Sequence, residues 1–185
     1  MKYPLLFAAS LAAVSLASCS KQADPAADAT ATVAPSEVAT TPTAAQAPGQ
    51  TFANTAAASD TFEIEASKLA ITKSGSPAVK TFANQMIDAH NESTAKLKTA
   101  AAAASPAITP VSTVTAAQQS TLDMLGAKSG AEFDRAYAQA QVTAHQETLD
   151  VLKAYSTSGE VSSLKAFATG LVPTVTAHLN MAKRL

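Results

Sequence analysis

The sequence predicts an all-α protein, a four-helix bundle with an extra short helix before the third long one. About a quarter of its 185 residues are alanine, the strongest helix former. Apolar residues past residue 50 recur at helical spacing, and no β-branched alternation competes with them. Gly and Pro cluster at a few points, so they mark turns rather than interrupt elements.

The elements follow in order. The first long helix is expected over about 52–74 and is broken by Ser74-Gly75-Ser76-Pro77. Ser76 suits an N-cap and Pro77 the first helical position of a second helix, to about Ala104. Two prolines between Ser105 and Pro110 end that helix. The Thr115 and Gln118 spacing fits a capping box for a short helix ending near Gly126, and Ser129 with Glu132 suggests another. That second box would open a third long helix to about Ser156. Ser158-Gly159 turns the chain into the last helix, about 160–184, with Pro173 inside it as an expected kink. Two hairpins of long helices joined by a longer connection give the bundle a ferritin-like character.

The residues before the domain read differently. Lys2, an apolar run from Pro4 to Leu16, and Leu16-Ala17-Ser18-Cys19 form a lipoprotein signal peptide over 1–18. Cys19 is the chain's single Cys and the expected lipid attachment point, since acyl chains give durable anchoring. Ser20 after it points to the outer membrane, facing the periplasm. Residues 19–50 read as the lipidated Cys and a tether of Ala, Thr and Pro too poor in large apolar groups to fold. The domain is assigned to 51–185. Net charge is −1 and no Lys/Arg cluster stands out, so nucleic acid is not an expected partner. The lipid anchor makes the membrane one, and protein partners are not specified.

Chemistry is concentrated in the polar residues on the apolar stripes. Glu63, His90, His145 and His178 each fall on the inward face of a different long helix, at 100° per residue. His145 stacks in line with Gln141 and Asp134, beside Tyr137 on the same stripe. Three imidazoles and a carboxylate suit one zinc, copper or iron ion. The same groups also suit a buried polar network that fixes register. A di-iron centre needs a Glu three residues before the His on two helices. Ile87, Val142 and Val175 stand there instead. No nucleophile set or phosphate loop is present, so no catalytic residue is assigned and an enzyme is not expected. The two readings are a helical binding or structural module of the envelope, and a metal-binding protein with a mononuclear His/carboxylate site.

The runs FEIEASKLA (62–70), FANQMIDAH (82–90), FDRAYAQAQVTAH (133–145) and LVPTVTAHL (171–179) resemble, in order, the signature blocks of a bacterial family. That family carries a domain-of-unknown-function label, and its members are often called "predicted outer membrane protein". The resemblance covers about 52–185. It implies a ferritin-like four-helix domain in an envelope protein, with no known reaction. It also marks as characteristic Glu63, Asp88 with His90, Phe133-Asp134 with Tyr137, His145 and His178. Asp88 thereby joins Asp134, Tyr137 and Gln141 as an expected member of a polar network around the ligands.

Overall fold

A computed structural model describes residues 46–185. The signal peptide, Cys19, Ser20 and nearly all of the tether lie outside the described residues. Five helices follow one another: α1 (Pro48–Lys73), α2 (Pro77–Ala102), α3 (Ala116–Gly126), α4 (Gly130–Ser158) and α5 (Ser162–Ala182). No strand occurs among the described residues. The fold is the expected all-α bundle with a short helix before the third long one.

Local chemistry sets most of the boundaries. Pro48 and Pro77 open α1 and α2, where a missing N–H costs nothing. Ser76 caps α2 by accepting from the Val79 N–H. The capping box of Thr115 and Gln118 forms in both directions at α3. The one expected at α4 does not. Ser129 makes no side-chain cap, and Glu132 turns to the Lys128 ammonium. Gly130 sits at φ 55, a left-handed conformation that glycine adopts without strain. Helix α5 runs on unbroken through Pro173.

The long helices form two hairpins, α1 with α2 and α4 with α5. The hairpins meet through α1 on α4 and α2 on α5, while α3 lies mainly against α1. The interior has two apolar clusters. One gathers Phe52, Leu97, Leu149, Leu152, Leu164 and Phe167. The other gathers Phe62, Phe82, Met86, Leu125, Phe133 and Tyr137. On α2 and α4, His90 and His145 stand between residues of the two clusters in sequence, and on α5 His178 stands between Val175 and Leu179 of the first; all three are buried. A polar layer thus separates two apolar ones. Buried polar groups are costly unless paired, so this layer needs partners from within.

Candidate metal centre

The two hairpins bring the polar groups to one level. On α1 and α2, Asp60 lies thirteen residues before Lys73 and His90 thirteen after Pro77. Equal rise puts the two side by side, and His90 Nδ1 donates to Asp60 Oδ1 at 2.8 Å. The other Asp60 oxygen accepts from Thr94 Oγ1 at 3.1 Å. Glu63, three residues on, shares the Asp60 face but sits almost a turn nearer the hairpin. There it accepts from Gln141 Nε2 at 2.6 Å and lies 3.5 Å from His145 Nδ1. His145 Nδ1 itself donates to the Gln141 carbonyl at 2.9 Å.

These contacts orient the imidazoles. With Nδ1 of His90 and of His145 occupied as donors, each ring turns its Nε2 lone pair inward. Both Nε2 atoms are buried without a partner, and so is Nδ1 of His178. The ring centroids stand 5.8, 6.0 and 5.6 Å apart. One ligand nitrogen from each ring lies within 4.8 Å of the other two. Three unpartnered nitrogens in a buried layer would each cost about 1–3 kcal/mol. Metal–nitrogen bonds of about 2.0–2.1 Å hold two ligands roughly 3.3 Å apart. Inward shifts of under about 1 Å per ring meet that requirement. The donor set therefore fits a transition-metal ion. Hydrogen-bonded Nδ1 atoms behind ligating Nε2 atoms are the usual support for such an ion.

The electrostatics are uneven across the three rings. Burial, with the facing His145 and His90 adding to it, pushes the His178 pKa down to about 4. For His90, burial opposes the charged form, but the Asp60 hydrogen bond and the carboxylates of Glu63 and Asp60 outweigh it. Its pKa is held above the ordinary value. The layer thus stores negative charge behind His90 and His145 and none behind His178.

Several expected residues occupy other places. Glu63 stands outside the histidine cluster: its carboxylate backs His145 on the nitrogen away from the cluster. Gln141, fully buried, joins that support. Asp88 is exposed and takes no part in the layer, because two residues along a helix turn a side chain through 200° from His90. Asp134 sits near the start of α4, and its reach is to the α1–α2 turn, where Ser74 Oγ donates to it at 2.5 Å. Tyr137 is buried and bonded to Ser67 at 2.9 Å, within the apolar layer next to the histidines. Its ring meets Phe82 edge-on, and Phe82 meets His145 likewise. Burial holds the Tyr137 phenol well above its ordinary pKa. Asp60 was missed from sequence. Its signal was its spacing, one turn before Glu63 and level with His90 across the hairpin.

A family pattern matches residues 33–185, most of the chain. The chain belongs to this family, described as "Domain of unknown function (DUF4142)". No curated protein matches it. Among solved structures it is similar to "CopM in the Cu(I)-bound form", at 18% identity and a TM-score of 0.61, covering 75% of this chain and 95% of that one. It is similar also to "CopM in the Cu(II)-bound form", at 16% identity and a TM-score of 0.61, covering 74% of this chain and 93% of that one. The likeness is one of fold and extends over nearly the whole of each neighbour.

Proposed function

We propose that this DUF4142 chain binds a single transition-metal ion through His90, His145 and His178, and does so in the cell envelope. One observation carries the reading: three buried, unpartnered ring nitrogens that converge from three helices. A purely structural network would use those nitrogens up in hydrogen bonds, as it uses Nδ1 of His90 and His145. Imidazole donors suit zinc, copper and iron. Copper is preferred, because the neighbours of like fold are described as holding it in both oxidation states. Bound there, the ion would supply Lewis acidity or one-electron chemistry. The chain's own residues orient the rings (Asp60 for His90; Gln141 and Glu63 for His145) and exclude bulk water by the apolar layers on either side.

The envelope location rests on the sequence of the leader and on Cys19 as a lipid attachment point, with Ser20 favouring the outer membrane. Among the described residues no helix is long and apolar enough to cross a membrane, so attachment through Cys19 is the means proposed.

Metal analysis of untagged protein tests the reading. The expected result is close to one ion per chain after exposure to copper, lost in His90→Ala and in His145→Ala. Native protein that takes up no copper, zinc or iron would overturn it and leave the layer as a register-setting network.

A further inference from the structure

We propose that a small cavity beside His90 and His178 seats an exogenous ligand of the bound ion, no larger than two or three heavy atoms. The inference rests on the metal reading and extends it. Three nitrogens leave a four-coordinate ion with one position to fill. No carboxylate of the layer is placed to fill it, since the cluster of potential ligand atoms contains the three imidazoles alone. Both oxygens of Asp60 are taken, by His90 and by Thr94, and Glu63 lies behind His145.

The cavity holds about 30 Å³ and is lined by His90 and His178 themselves. That is enough for one or two water-sized molecules, since about 10–15 Å³ on this measure admits one. Its walls are mainly apolar, with a few hydroxyl-bearing residues among them. Ser59 and Thr148, joined at 2.8 Å, and Ser93 offer hydroxyls, whereas Leu152 and Val175 offer apolar surface. The bound ion would be the chief polar partner of an occupant of this space, with the wall hydroxyls secondary.

A route in is also present. A groove of about 620 Å³ runs along α2 and α5. Phe167, Leu171 and Thr174 line both groove and cavity, so these three side chains stand between the site and the outside. Phe167 is buried while Thr174 is exposed, which places the threshold at the α5 face of the groove.

Azide binding to the copper(II)-loaded protein tests the proposal, read as a near-ultraviolet charge-transfer band and a change in the electron paramagnetic resonance spectrum. Native protein should bind azide saturably and should not bind imidazole, which is too large. Ser93→Leu fills the cavity from α2. It should keep one copper per chain and lose azide affinity at least tenfold. Leu171→Ala widens the threshold and should admit imidazole. A copper-loaded native protein with no azide band overturns the subsite. So does unchanged azide affinity in Ser93→Leu, or, where that variant does not fold, continued exclusion of imidazole by Leu171→Ala. Absence of copper from the native protein overturns the metal reading itself, so the two failures are told apart by the metal content.

Discussion

Replacing Asp60 with Asn should weaken metal binding while leaving the fold in place. The carboxylate is buried, with one oxygen on His90 Nδ1 and the other accepting from Thr94. Asparagine has nearly the same shape. Its carbonyl can still accept from His90, and its amide can donate to the Thr94 hydroxyl, which reverses its role. Every hydrogen bond therefore remains available, and only the negative charge is lost. That charge raises the basicity of the His90 lone pair and offsets the charge of an incoming cation. Loss of such a partner lowers metal affinity by about 10–100-fold, or about 1.4–2.7 kcal/mol. Asp60→Ala should behave differently. It leaves a buried His90 N–H without an acceptor and should cost about 1–3 kcal/mol of fold stability as well. Competition titration against a chelator of known copper affinity measures the first effect, and a urea midpoint the second. Glu92→Gln is the control, since Glu92 pairs with Lys96 on the exposed face of α2. Copper affinity in Asp60→Asn within twofold of native, or a loss no larger than in Glu92→Gln, would refute the view that Asp60 acts on the ion through His90.

Four further outcomes are expected. Copper at a thousandfold excess over its Kd should stabilise the native domain by about 4 kcal/mol, raising Tm by roughly 10–15 °C for a domain of this size. In His145→Ala that increment should vanish, and an equal increment in calorimetry would speak against His145 as a ligand. Metal-free protein should lose about 1–2 kcal/mol between pH 7 and pH 5 through His178. Its lowered folded pKa makes the contribution full above about 6.5 and declining as pH falls toward 4. His90, with its pKa raised, works the opposite way and gives up stability as pH rises past its folded value. A pH dependence of the urea midpoint unchanged in His178→Gln would contradict this assignment. Tyr137→Phe should cost about 1–2 kcal/mol by removing the buried bond to Ser67, visible as a lower melting temperature with copper stoichiometry unchanged. Cys19→Ser should abolish incorporation of labelled fatty acid and release the protein from membranes, and continued labelling would disprove the lipid attachment.

The bundle was legible because its signals are local and repeated. Pro77 after Ser76, and Thr115 before Gln118, fix helix starts through chemistry contained in four residues. The inward faces of α2, α4 and α5 were equally plain, since His90, His145 and His178 interrupt otherwise apolar stripes. What escaped was pairing across the hairpin. Helix α1 begins at Pro48 rather than near residue 52 and buries a broad face that includes Ser59, Asp60 and Ser67. Counting residues from the hairpin turn puts Glu63 and His90 at nearly the same level, and a difference of less than one turn was enough to hide Asp60, which is the carboxylate bonded to His90. Asp88 was drawn in by its place in the family's pattern, although helical geometry turns it outward. Asp134 lay on the correct line but at the end of its helix, where a different partner, Ser74, was within reach. Ser129 and Glu132 had the spacing of a capping box, but Lys128 offered Glu132 an opposite charge one turn away.

No two-helix fragment of this domain contains the whole site. Each hairpin contributes at most two of the three nitrogens, and the carboxylates behind them come from α1. An incompletely folded chain therefore has nothing that grips an ion as the finished bundle would. If the leader directs export in an unfolded state, the polypeptide arrives outside empty and must be charged from whatever ions the receiving compartment supplies. Cargo would then report the chemistry of the destination, not of the compartment where the chain was made.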